Sequence, residues 1–370
     1  MSRNASHKPK LPVRLLVVGG RQRRNAIGVD EWHAYEKAII AEIDLRDDSL
    51  KVVVEYETPN ELCCDHQPAI VFKAGDLSDD GKSLLVCTQT EVIEFSTENW
   101  DSVFHFSHPS FNDLHHACYD RGDSGRILLA NTGLDQVVAI RKNGSTAEIE
   151  WSKSVTPEPT WERFDPKADY RKVATTKPHY SHPNFIFQAA GRIFATRFHQ
   201  QDVIDIETAE PVLKIEAGNP HDGIVRRQSV VEPVKEILTN DNQLANEKTS
   251  VYFTTTNGSI VGYDLDTRQE TCRVDLAAIE DHSELLGWCR GLCFETNELV
   301  WAGFSRIRPT WLRKNISWIK QGFQAKGQYG TRPTRIVNYN LHDQTVRKHF
   351  DLEPIGMNAV FGIYMLSSNG

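Results

Sequence analysis

No stretch of this chain approaches the roughly 18 consecutive apolar residues that would cross a bilayer. Its opening, Met1-Ser-Arg-Asn-Ala-Ser-His-Lys-Pro-Lys10, is polar and basic and lacks the apolar centre of a secretory signal. A cytoplasmic protein without a membrane span is therefore expected. Positive charge is also short, with 42 Lys and Arg against 50 Asp and Glu and a net charge of −8. That balance works against broad binding to nucleic-acid phosphates or anionic lipid. Cysteine is sparse and odd in number, seven in 370 residues. Cys63 and Cys64 are adjacent and Cys289 and Cys293 are four apart, which matches neither a disulfide framework nor the CxxC spacing of a structural zinc site. The GxSxG elbow, the P-loop and the dinucleotide fingerprint are all missing, so that class of serine hydrolase, NTPases and enzymes with a nucleotide cofactor lack support.

What the chain does have is enough apolar material to fold, 39% of residues against 25% charged, arranged in short alternating strands. One segment runs His182-Pro-Asn-Phe-Ile-Phe-Gln, a Gly191 turn, Arg192-Ile-Phe-Ala-Thr-Arg-Phe, Asp202-Val-Ile-Asp-Ile and Val212-Leu-Lys-Ile-Glu, four strands in about 35 residues. The same order recurs from His115 (Ile127-Leu-Leu-Ala-Asn, Gln136-Val-Val-Ala-Ile, Glu148-Ile-Glu-Trp) and from His66 (Ala69-Ile-Val-Phe, Ser83-Leu-Leu-Val-Cys, Glu91-Val-Ile-Glu-Phe, Ser102-Val-Phe-His-Phe). It recurs again from His221 and from Arg290, while Asn143-Gly and Asn257-Gly read as hairpin turns.

A four-strand unit repeated at this period predicts a propeller in preference to a β-sandwich or a pair of barrels. Two remnants are left over: a C-terminal strand, Asn358-Ala-Val-Phe-Gly-Ile-Tyr, and N-terminal strands at Val13, Ala38 and Val52 that lack an inner partner. Pairing them completes one blade, closes the ring and removes exposed sheet edges. The expectation is all-β: a single six-bladed β-propeller over 1–370, closed by pairing the N- and C-terminal strands.

Long insertions fall at 153–181, 226–248 and 305–332, with a further long loop at 20–34. Strand parity puts 153–181, 20–34 and 305–332 on one face and 226–248 on the other. Segment 305–332 interleaves Arg306, Arg308 and Arg313 with Trp311, Trp318 and Phe323 and reads as a lid.

By the same parity His66, His115, His182 and His221 each open an inner strand and ring one mouth of the channel. Neutral imidazoles converging on an axis could share one divalent ion of iron, zinc, copper or nickel. Carotenoid cleavage dioxygenases resemble this arrangement in one respect, holding iron with four histidines inside a propeller. The neighbouring His116, Asp222, Arg290 and Asn358 make the mouth mixed and polar, and His179 approaches it from the 153–181 segment. Asp222, His116, Arg290 and His179 are the candidate catalytic groups. Arg290, Asn358, Arg306 and Trp311 are the candidate substrate contacts. His33, His105, His108, His199, His282, His342 and His349 are expected on rims and outer strands.

The stretch Trp288-Cys-Arg-Gly-Leu-Cys-Phe and Val300-Trp-Ala-Gly-Phe-Ser-Arg-Ile-Arg resembles an RGLxF…VGxSxxR motif found in a poorly characterised family of bacterial propellers. With His221-Asp-Gly-Ile-Val it spans about the last third of the chain, and it implies the fold without an activity. The architecture is also similar to the gluconolactonase and strictosidine-synthase superfamily, whose gluconolactonase-like members hold calcium with Glu, Asn and Asp; histidines stand here instead. Two functions remain open. One is an enzyme, such as a His-ligated metal-dependent oxygenase, lyase or hydrolase, acting on a small organic substrate, anions included. The other is a non-enzymatic module binding a protein or peptide on its loop-rich face.

Overall fold

In the computed structural model, residues 14–24, 33–229, 247–280, 285–307 and 332–366 are described. Their strands follow as β1 (Arg14–Gln22), β2 (Tyr35–Asp44) and β3 (Ser49–Tyr56); β4 (Lys73–Leu77), β5 (Ser83–Cys87), β6 (Glu91–Ser96) and β7 (Ser102–Ser107); β8 (Leu114–Tyr119), β9 (Arg126–Asn131), β10 (Gln136–Asn143) and β11 (Thr146–Ser154). Next come β12 (Pro183–Ala189), β13 (Arg192–Arg197), β14 (Asp202–Asp205) and β15 (Pro211–Lys214), then β16 (Pro220–Ser229), β17 (Glu247–Thr255), β18 (Ser259–Asp264) and β19 (Glu270–Asp275). The last are β20 (Trp288–Phe294), β21 (Leu299–Ser305), β22 (Arg335–Asn340), β23 (Thr345–Asp351) and β24 (Ala359–Leu366).

These strands form antiparallel meanders: four four-stranded sheets, and one eight-stranded sheet in which β4–β7 meets β8–β11 through the parallel pairing of Ala74 with His116. The termini share a sheet, since β24 pairs β1 from Arg14↔Leu366 to Gly20↔Ala359. The first strands touch in a closed cycle, β4 to β8, β12, β16, β20, β24 and back to β4. This is an all-β propeller.

Its cohesion comes from apolar faces pressed between neighbouring sheets. Leu15, Ile39 and Val17 meet Cys293, Trp301 and Ile336, and Leu16, Val18 and Ile40 meet Phe72, Leu84 and Ile93. Further clusters straddle the junctions between the later sheets in the same way, each fully buried large side chain contributing about 1.5–3 kcal/mol. Outer strands such as β23 alternate exposed and half-buried residues, while β21 and β22 are nearly continuously buried.

One strand differs from its sequence reading. Ala69–Phe72 is apolar enough to pass for an inner strand, yet the ladder begins at Lys73. The apolar residues serve instead as a lead-in wedged between sheets: Phe72 N–H donates to Gly19 C=O at 3.1 Å, Ile70 N–H to Tyr35 C=O at 3.1 Å, and Ile70 and Phe72 fill the adjoining core.

A register shift recurs near the start of every first strand. It falls between Lys73 and Asp76, Leu114 and His116, Pro183 and Ile186, Pro220 and Asp222, and Arg290 and Leu292. In β24, pairing with β1 skips Phe361. Such bulges turn the extra residue out of the ladder, and His115, His221 and Phe361 are residues that the pairing skips. Gly291 adopts φ +77° at one of them, and a Cβ on Gly75 at another would lie 1.8 Å from Leu85 O.

Candidate active site at the channel mouth

The bulges gather a compact polar cluster. His115 lies 4.8 Å from His182 and 5.9 Å from His221, centroid to centroid, and His221 lies 6.2 Å from Phe361. Lys73 Nζ sits 4.7 Å and the Arg290 guanidinium 4.4 Å from the centre of the Phe361 ring. Lys73, His115, His221 and Arg290 are each only 5–6% exposed. Two cations are thus buried beside imidazoles, with Asp113 3.4 Å from Lys73.

Burial, reinforced by the Lys73 charge, pushes His115 down to about 3, so it stays neutral at physiological pH. Its Nδ1–H donates to the Asp113 carbonyl at 2.9 Å, which leaves Nε2 as an acceptor. Burial would raise Asp113, but the positive charges of Lys73 and Lys177 hold it well below the usual carboxylate range.

His182 extends the cluster outward. Its Nδ1 is 2.8 Å from His179 Nδ1, and burial lowers both pKa values, His182 the more strongly. Thr176 gives its hydroxyl proton to Gly133 C=O at 2.5 Å, so its oxygen accepts from His179 Nε2–H at 3.3 Å. His179 must then accept at Nδ1, His182 must donate from Nδ1, and His182 Nε2 is left as an acceptor. His199 lies at the outer edge, exposed, with its ring 5.8 Å from His182.

The 153–181 segment is strapped across this mouth. Asn112 Nδ2 donates to Tyr170 C=O at 2.8 Å and to Val173 C=O at 2.7 Å, and Lys172 Nζ reaches Asn60 C=O at 2.7 Å.

The other candidates divide. His116 points between sheets: its Nδ1 accepts from Ile186 N–H at 3.2 Å, its ring packs on Phe185 at 4.9 Å, and it hydrogen-bonds the Gly75 backbone. Asp222 is fully buried beside His221 and accepts from the Gly223 and Gly291 N–H groups; burial raises it to about 7. Asn358 and Arg306 both meet Gln22, through Gln22 N–H to Asn358 Oδ1 at 3.0 Å and Arg306 Nη2 to Gln22 Oε1 at 3.3 Å. Trp311 and most of the 305–332 segment lie outside the described residues, as does His282. His66 is exposed in the loop before β4, its ring 5.4 Å from His33.

Among the described residues, no three His, Cys, Asp or Glu side chains are grouped so that they could hold a metal ion. The four proposed ligands do not all converge, because His66 stands apart beside His33 while His115, His182 and His221 cluster. Lys73 and Arg290 beside His115 would also repel a third cation. The residues present therefore do not fit a four-histidine metal centre.

Lys73, Asp113 and Phe361 were not legible as site residues. Lys73 and Phe361 carry no histidine signal, and only the recurring bulge marks their positions.

No family model matches the chain, and a search of curated proteins finds no match. Solved structures do resemble it. A chain of the nidogen/laminin complex is 10% identical with a TM-score of 0.52, covering 96% of this chain and 100% of that one. A candidate 6-phosphogluconolactonase from Bacteroides uniformis is 10% identical with a TM-score of 0.50, covering 96% and 99%. The Swd1 β-propeller domain of Myceliophteria thermophila is 12% identical with a TM-score of 0.45, covering 94% and 88%. At these identities the likeness concerns the fold alone. No helix among the described residues is long and apolar enough to cross a membrane.

Proposed function

We propose that the channel mouth binds a small organic anion and carries out acid–base chemistry on it with neutral imidazoles. The observation that carries this reading is the burial of Lys73 and Arg290 around Phe361, beside His115. Buried cations attract a carboxylate or phosphate far more strongly than exposed ones. The acceptor nitrogens of His115 and His182 suit a substrate hydroxyl or a water. A bound anion offsets the positive charges that hold His115 down, so its proton affinity rises when the substrate arrives. Asp222, raised to about 7, supplies a carboxyl present in both protonated and ionised forms near neutrality.

The same reading counts six blades, treating the eight-stranded sheet as two meanders joined at Ala74↔His116. A second reading, a module that binds a protein on this face, draws on the exposure of Trp161, Val173 and Tyr180 along the strap.

The experiment is a thermal-shift screen of small carboxylates and phosphates against wild type, Lys73→Met and Arg290→Met. One class of acid should stabilise wild type and neither variant. Equal stabilisation of all three proteins, or none by any anion, refutes the reading. Partner capture on the strap face that survives both substitutions would favour the module.

A further inference from the structure

Outside the cluster, one buried carboxylate shapes its geometry without touching the centre. Asp135 follows the turn Thr132–Leu134, itself has φ +48°, and is fully buried. Its Oδ1 accepts the N–H groups of Ser181 at 3.0 Å and His182 at 2.7 Å, and its Oδ2 accepts Tyr180 N–H at 2.7 Å. Arg163 Nη1 completes the set at 2.9 Å from Oδ2, and its guanidinium stacks 3.5 Å from the Tyr180 ring centre. Three successive amides converging on one carboxylate form a tight backbone clamp. Within it His182 is held at φ +59°, a left-handed conformation that a side chain such as histidine rarely adopts without support.

We propose that Asp135 is the positioning residue of the His182–His179 pair: by clamping the 180–182 backbone it fixes His182 between His115 and His179. This rests on the reading of these imidazoles as the working groups of the site. The geometry leaves the clamp little alternative purpose, because Val155 and Gln136 already anchor the turn to the sheet, the former through its N–H to Asp135 C=O at 2.9 Å. The consequence is a chain of rings, His115 to His182 to His179, ordered from the turn behind it rather than from within the channel.

The test uses nitrogen-15 NMR of the imidazoles in the full chain. Wild type should show His182 protonated at Nδ1 and His179 at Nε2, with a slowly exchanging proton between the two Nδ1 atoms. Asp135→Asn, which replaces one acceptor oxygen with a donor, should abolish that proton signal and speed exchange of the 180–182 amides about tenfold or more. Asp135→Glu, which keeps the carboxylate, should restore part of the signal. A folded Asp135→Asn protein that keeps the wild-type tautomers overturns the proposal. Should that variant fail to fold, native-state exchange of wild type decides instead: the ring proton and the three amides must be lost in one opening, and amides that open while the ring proton persists overturn it. Acetate and phosphate titrations of wild type and Lys73→Met judge the anion reading separately, since the tautomer signals do not depend on a ligand.

Discussion

His116 offers a stability prediction that can be worked through in numbers. It is fully buried between sheets, and burial lowers its pKa to about 3 from the ordinary 6.5. A histidine depressed in this way gives its full support above its unfolded pKa, and that support is lost as pH falls from about 6.5 toward 3, where the unfolded chain takes up a proton the folded one refuses. At pH 5 the loss from this one residue is about 2 kcal/mol. His116→Gln keeps a donor and an acceptor for the Gly75 and Ile186 backbone groups but cannot titrate. The variant should be less stable than wild type at pH 7.5, by about 1 kcal/mol for the weakened packing on Phe185. Its disadvantage should shrink by about 2 kcal/mol at pH 5 and so reverse. Urea unfolding at the two pH values measures this. A stability difference that is the same at both would refute the placement of a neutral, buried ring at this junction.

Asp222 should behave in the opposite sense: with its pKa raised to about 7, the folded state is penalised as pH climbs from about 4 to 7, and Asp222→Asn should gain about 2 kcal/mol over wild type between pH 5 and pH 7. Unfolding midpoints at the two pH values check it. Glu91 is buried and accepts from Tyr56, Thr58, Thr88 and His105 at 2.5–2.9 Å, tying β3 to β6. Glu91→Gln turns one acceptor oxygen into a donor facing donors and should cost about 2–3 kcal/mol in chemical denaturation. Gly75→Ala would put a methyl group 1.8 Å from Leu85 O inside the ladder, so it should yield little folded protein in an expression and solubility comparison.

The four-strand period and the joining of the termini could be read from alternation alone, because each strand buries one or both faces against a neighbouring sheet and repeats the same order. The site was harder to read. Alternation assumes an unbroken ladder, whereas a bulge at each first strand inserts a residue, which is why His115 turns to the axis and His116 beside it does not. His66 was grouped with the others by its place ahead of an apolar run, but that run proved to be the lead-in to β4. The residue at the mouth from that sheet is Lys73, and its charge is what turns the proposal there from a metal to an anion. Asp135 gave no sequence signal at all, since its three amide partners lie 45–47 residues away.

The most direct measurement is calorimetric titration of chelator-treated protein with the small organic acid that emerges from screening, in wild type, Lys73→Met and Arg290→Met. The account predicts binding without any metal, weakened at least about tenfold by either substitution. Binding that appears only after a divalent ion is restored, and that both variants retain in full, would contradict it.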